Sequence, residues 1–135
     1  MPLIFQSNIV DYDLTENPRV FYVYPENLEK SGGSEFTKMM RKHSVQAKPL
    51  MIKQRGFKTR DSFWEDKDYA YARKHFIETQ DIIKVLLNKH NAVVVVSYAQ
   101  LYDEVDAINK NSKVFNMFFM EQMNFMRERW SPDAL

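Results

Sequence analysis

The feature that most constrains the fold is a long amphipathic segment followed directly by a run of valines. Over residues 66–90 apolar side chains recur in steps of three and four, which places them on one face of a helix. A helix of roughly 24 residues is about 36 Å long and can cross a β-sheet. The valines at 93–96 show no polar alternation, which is typical of a strand buried on both faces. This order predicts an α/β architecture.

The rest of the chain supplies elements for one domain with helices on both faces of a sheet. We predict strands at residues 1–13 (at the edge of the sheet), 19–24 and 47–54, and helices at 34–43 and, in two pieces broken near 109–112, at 105–130. Pro25 is expected to end the second strand, since proline cannot donate to a sheet ladder. These elements predict a single three-layer domain with a mixed sheet, a core within residues 19–126 and a frayed tail at 131–135.

Composition narrows the class of protein. The chain has 135 residues, of which 44% are hydrophobic and 14% aromatic, enough for one well-packed core. It contains no cysteine, which excludes disulfides, thiolate nucleophiles and cysteine-based zinc sites. No apolar run approaches the roughly 20 residues of a membrane span. We therefore expect a cytoplasmic protein without membrane contact.

No local pattern indicates catalysis. The three histidines are far apart in sequence and lie in no metal-ligand motif. Ser97 follows a strand but lacks the Gly-x-Ser-x-Gly turn of hydrolases. We expect neither a catalytic residue nor a metal or other cofactor, although a triad assembled in space stays open.

Two features suggest contact with anions. Gly32 and Gly33 stand between a strand and a helix, where backbone N–H groups can hold a phosphate, although a simple turn is the alternative. The net charge is only +1, yet residues 38–60 carry eight basic side chains and no acidic one. Within this stretch we single out a basic surface, which could also be an ordinary solvated face: Lys48, Arg55, Lys58 and Arg60. Nucleic-acid binding by this surface is the weaker expectation, because the whole domain is nearly neutral.

The last helix offers a second kind of contact. On a helical wheel Val114 and Phe125 join the broad apolar face, whereas Met117 and Met120 lie among polar residues on the opposite side. Methionine adapts readily to different partners. Met117 and Met120 therefore predict an interface, either with a second copy of the chain or with another protein, unless a neighbouring element covers them.

The order of these motifs resembles a family of small macro-domain-like proteins that is common in bacteria and their phages. The similarity covers residues 19–126. It is carried by the strand and loop around Asn27, the Gly32-Gly33 loop with its helix, the strand ending at Lys53, and the valine strand with its following loop. The loop at 97–103 departs from the family, because it contains no glycine.

The resemblance implies an ADP-ribose or nucleotide ligand held by two loops. On that basis the candidate ligand-binding residues are Asn27, Gly32, Gly33, Lys53, Ser97, Tyr98 and Asp103. Bulky tyrosines in a loop without glycine hinder close approach to a pyrophosphate. The leading hypothesis is therefore a non-enzymatic binding protein. It either keeps a pocket for such a ligand, or has lost that pocket and binds a protein partner, which would be a host factor if the chain is a phage protein. An interaction or inhibitor protein is the second hypothesis, and an ADP-ribosyl or nucleotide hydrolase the third.

Overall fold

The sheet is fully parallel. Over residues 2–57, 59–89 and 91–131, the computed structural model contains four strands: β1 Leu3–Gln6, β2 Phe21–Asn27, β3 Ala47–Lys53 and β4 Val94–Ser97. Their order across the sheet is β1-β4-β2-β3, and each neighbouring pair is parallel. The prediction of an α/β fold is confirmed, but the prediction of a mixed sheet is wrong. Each successive pair of strands is joined by a helical crossover rather than a hairpin, and a crossover returns the chain in the same direction.

Six α-helices flank the sheet in this part of the chain, together with three short 3-10 helices at Arg60–Ser62, Asp66–Asp68 and Tyr102–Glu104. The α-helices are α1 Asp11–Glu16, α2 Glu35–Arg41, α3 Tyr69–Leu87, α4 Tyr98–Leu101, α5 Val105–Asn111 and α6 Lys113–Trp130. The strand predicted at 1–13 does lie at the edge of the sheet, but it is shorter than predicted, because only Leu3–Gln6 is extended and α1 begins at Asp11. The Asp13 carboxylate accepts the Val10 N–H at 2.8 Å, which favours a helix start at this point.

Alternating side chains build a core on each face of the sheet. Val94 and Val96 belong to one buried cluster, with Phe76 of α3 and Phe119 of α6. Val95, which points to the opposite face, belongs to a second cluster with residues of α1 and α2. β4 lies between β1 and β2 and is buried throughout, as the unbroken run of valines predicts.

Pro25 does not end β2, contrary to prediction, and the sheet register explains why. Phe21 donates its N–H toward β4 and Tyr22 donates toward β3, so odd-numbered residues of β2 face β4. The β2–β4 ladder stops at Val23, so the N–H that proline lacks would have no partner there. β2 therefore continues to Asn27 along β3 alone.

The C-terminal helix buries a narrower face than its wheel predicts. Val114 and Phe125 are 44% and 49% exposed.

Ser131, which was predicted to belong to a frayed tail, is buried, and its N–H donates to the Arg127 carbonyl. The remaining tail residues, 132–135, lie outside the part of the chain that the structure describes. Among the residues described, no helix is long and apolar enough to cross a membrane.

Candidate functional site

Several predicted ligand-binding residues meet at the carboxyl edge of the sheet. Asn27 ends β2, Lys53 ends β3 and Ser97 ends β4, and the ends of parallel strands share one edge. Open α/β sheets bind ligands at this edge. Asn27, Gly33, Lys53 and Asp103 line one cleft there. The fold thus brings together four residues that are far apart in sequence.

This small cleft has little free space. Its volume is about 20 Å³, about the room for one water molecule, whereas pockets for nucleotide-sized ligands measure about 300–1,000 Å³. Lys53 Nζ lies 2.7 Å from Glu104 Oε1, and both side chains are largely buried. Asn27 Nδ2 donates to the Ser31 carbonyl at 2.7 Å. The polar groups of the small cleft therefore hold the surrounding loops to one another.

The glycine loop packs against another loop of the same chain. Gly32 and Gly33 have φ angles of +56° and +90°, a region that side chains rarely adopt. The Gly33 N–H donates to the Gly56 carbonyl at 2.9 Å, so this donor is already used. A Cβ at Gly56 would lie 1.8 Å from the Ser31 carbonyl oxygen. Gly56 is required for this contact, and nothing in the local sequence indicates it.

A buried ion pair fixes the same loop, and sequence reasoning missed it. Glu26 is 2% exposed, and its carboxylate accepts hydrogen bonds from Arg41 Nε at 2.8 Å and from Arg41 Nη2 at 2.5 Å. Arg41 Nη1 also donates to the Gly32 carbonyl at 2.6 Å. Tyr24 donates to Glu26, and its burial, followed by the nearby Glu26 charge, raises the pKa of the phenol well above its usual value. The partners are fifteen positions apart, so no sequence spacing reveals them.

Ser97 and Tyr98 lie outside the small cleft and have structural contacts. Ser97 is buried; its hydroxyl donates to the Ser7 carbonyl and accepts the Gln100 N–H, which caps α4. The Tyr98 ring stacks on Phe5 with centroids 4.6 Å apart and on Tyr102 at 5.8 Å. These rings close the end of the sheet where β1 and β4 lie side by side.

The predicted basic surface is partly neutralised by acidic residues from elsewhere in the fold. Arg55 lies 3.1 Å from Asp61 and 3.7 Å from Glu29. Lys48 Nζ lies 5.6 Å from the centroid of the Phe21 ring. Lys58 lies outside the residues that the structure describes. The charge of this stretch is therefore less concentrated than the sequence suggests.

A much larger cleft lies next to the small one, since Lys53 Nζ of the small cleft is 5.2 Å from the centroid of the Phe63 ring, which lines the large one. It has a volume of about 560 Å³ and is lined by Arg60, Phe63, Glu65, Asp66, Ala107, Lys110 and Asn111. Residues 60–66 follow β3 and α5 lies beyond β4, so this cleft also belongs to the carboxyl side of the sheet. Its volume is that of a typical small-molecule pocket. Of its lining residues only Arg60 was predicted from the sequence, because residues 60–66 and α5 come together only in the folded chain.

The charged groups of the large cleft differ in how they are engaged. Arg60 and Lys110 are exposed, and neither has an ion-pair partner in the described part of the chain. Asp66 Oδ1 accepts the Ser112 hydroxyl at 2.7 Å, and Glu65 lies 3.4 Å from Lys67 Nζ. The two carboxylates are therefore already engaged, whereas the two cations are available to a ligand.

A family model matches residues 4–118, which begin inside β1 and end inside α6. The chain belongs to DUF7831, a family of unknown function. No curated protein and no solved structure matches the chain. The segment shared with DUF7831 includes the residues that line both clefts.

Proposed function

We propose that the protein binds a phosphate-bearing ligand of nucleotide or ADP-ribose type in the large cleft, without turning it over. The observation that carries the proposal is a pair of cations, Arg60 and Lys110, which line a free volume of about 560 Å³ and have no ion-pair partner among the residues described. Cations of this kind in a ligand-sized cleft favour an anionic ligand.

The lining suits the parts of such a ligand. The Arg60 guanidinium can hold two phosphate oxygens at once, and Lys110 supplies a second positive charge. The carboxylates of Glu65 and Asp66 each accept several hydrogen bonds, so besides their present partners they can still accept from sugar hydroxyls. Asn111 offers its amide oxygen, since its amide N–H donates to the Ala107 carbonyl. Phe63, 3% exposed, contributes an apolar wall.

The macro-domain-like resemblance assigns the ligand to the glycine loop instead, but that location has weaker support. The Gly33 N–H is engaged by Gly56, and the small cleft offers only about 20 Å³. The proposal therefore keeps the ligand class implied by the resemblance and assigns it to the neighbouring large cleft. A cytoplasmic location, in a host cell if the gene belongs to a phage, is consistent with such a ligand.

Thermal shift with ADP-ribose, ADP and NAD tests the proposal. A ligand present at 100 times its dissociation constant should stabilise the protein by about 2.7 kcal/mol. Arg60→Ala and Lys110→Ala should each reduce the shift. Arg19→Ala and Lys74→Ala are matched controls, because these exposed cations have no ion-pair partner among the described residues and do not line the cleft.

Two results would contradict the proposal. One is the absence of any shift at millimolar ligand. The other is an equal loss of shift in the Arg60 and Arg19 variants, which would show a general charge effect. Chromatography of the incubated ligands tests the hydrolase hypothesis in the same samples, since free ribose phosphate or nucleoside monophosphate would reveal turnover.

A protein partner is the second candidate function, and one surface supports it. Val114, Met117 and Phe125 are all at least 44% exposed. Contrary to the prediction that Met117 lies opposite the other two, the three fall within about 80° of one another around α6, because Val114 and Phe125 lie at the margin of the apolar face next to Met117. Met120 of the predicted interface instead packs partly against the core. The partner would be a second copy of the chain or, for a phage protein, a host protein.

A further inference from the structure

Arg127 on α6 contacts the rings of Phe5 and Tyr98, which stack on each other at the edge of the sheet opposite β3. The Arg127 Cζ atom lies 4.6 Å from the centroid of the Phe5 ring and 4.7 Å from that of Tyr98. Phe5 belongs to β1, and Tyr98 opens α4 directly after β4. Arg127 is therefore held in place by cation–π contacts from two neighbouring strand ends.

Two polar atoms in this cluster lack partners. The Tyr98 hydroxyl and Arg127 Nε are both sealed from solvent, and within residues 2–57, 59–89 and 91–131 neither has a hydrogen-bond partner. Arg127 also has no carboxylate within ion-pair distance among the residues described. Buried polar groups are nearly always paired, and a guanidinium carries a charge in addition. One cluster thus combines an unpaired positive charge with two unused donors.

We propose that Arg127 and Tyr98 form a binding site for an oxyanion, either a phosphate or a carboxylate group. Both orphan atoms carry hydrogens to donate, so the missing partner is an acceptor rather than a cation. The planar fork of a guanidinium fits an oxyanion through Nε and one terminal nitrogen together. A single water could satisfy the same two donors, but it would leave the charge of Arg127 unpaired.

The site is separate from the large cleft and close to the surface. The large cleft is lined by residues 60–66 and α5, and it shares no residue with the Phe5, Tyr98 and Arg127 cluster. The side chains of Tyr98 and Arg127 are each only partly buried, although the two orphan atoms are sealed. Part of each side chain therefore lies at the surface, from which an oxyanion can approach the guanidinium.

Nitrogen-15 NMR of the arginine Nε–H signals tests the site directly. Titration of the full chain with inorganic phosphate should shift the Arg127 signal to saturation, and acetate in a parallel titration separates phosphate from carboxylate recognition. Arg129, an exposed neighbour that rests on the Trp130 ring at 5.7 Å, is the matched control and should not shift. Sodium chloride at equal ionic strength controls for screening.

Tyr98→Phe removes only the hydroxyl and keeps the aromatic stack. It should weaken the anion's affinity by about tenfold or more, the usual loss for one hydrogen bond to a charged group. Two results would overturn the proposal. One is that neither anion shifts the Arg127 signal beyond the chloride control, the result expected if a water molecule fills the site. The other is that Tyr98→Phe leaves the affinity for the anion unchanged. Arg60→Ala should leave the titration unaltered, so failure of the large-cleft proposal would not be mistaken for failure of this one.

Discussion

Removing Arg41 should destabilise the fold far more than its partial exposure suggests. Arg41→Met deletes two charge-assisted hydrogen bonds to Glu26, each worth about 1.5–3 kcal/mol, and leaves that carboxylate buried without a counter-ion. The Glu26 side chain is 1% exposed, so solvent cannot replace the guanidinium. Breaking a buried pair in this way typically costs about 3–5 kcal/mol. We expect about 4 kcal/mol for Arg41→Met.

Urea unfolding at pH 7 of a double-mutant cycle measures this loss. The variants are Arg41→Met, Glu26→Gln and the double variant, and the double variant should be more stable than Arg41→Met alone because it buries no lone charge. Lys38→Met breaks the exposed pair with Glu35, whose atoms lie 3.6 Å apart, and should cost less than about 0.5 kcal/mol. A loss below about 1 kcal/mol for Arg41→Met, or a double variant no better than it, would refute the reasoning.

Three further predictions concern other parts of the fold. Gly56→Ala forces a Cβ to 1.8 Å from the Ser31 oxygen and should lower stability by about 2–3 kcal/mol in thermal unfolding, and an unchanged midpoint would refute the predicted clash. Burial raises the pKa of Tyr102 to about 12, so the unfolded chain loses this proton first and stability falls between about pH 10 and 12. After allowance for solvent screening this loss is about 1–2 kcal/mol, and Tyr102→Phe should reduce the decline in urea titrations across that pH range. Met117→Lys should change the free energy of unfolding by less than about 0.5 kcal/mol, because Met117 is 62% exposed, and light scattering of the variant should show a monomer if this face joins two copies.

The ends of helices were predictable where a capping residue in the sequence also caps the helix in the folded chain. The Ser34 hydroxyl accepts the Thr37 N–H, so α2 begins where its cap residue predicts. The break between α5 and α6 falls at Ser112, which lies inside the expected interval and caps α6. Such signals act within a few residues and need no knowledge of the fold.

Predictions failed where the outcome depends on neighbouring strands. Pro25 remains in β2 because the ladder toward β4 has already ended at Val23. That fact depends on strand order, which no local pattern contains. The mixed-sheet prediction failed for a similar reason, since strand direction follows from the crossovers rather than from strand composition.

The candidate site was predictable only in part. Asn27, Gly33, Lys53 and Asp103 do share a cleft at the carboxyl edge, as the order of strands and loops suggests. The sequence could not reveal that Lys53 is neutralised by Glu104, 51 positions away. Lys110, which faces the large cleft, carries no local signal at all.

The sequence by itself determined the class of fold, because helical and strand periodicities and the run of valines are properties of short segments. The amphipathic segment before that run folds as α3, and the run itself becomes the doubly buried β4. Only the tertiary structure decided which charges remain available. Arg41 and Lys53 are each paired with a largely buried carboxylate, whereas Arg60, Lys110 and Arg127 have no carboxylate partner among the residues that the structure describes. Charge pairing depends on distances of a few ångströms between residues far apart in the chain, and those distances exist only after folding.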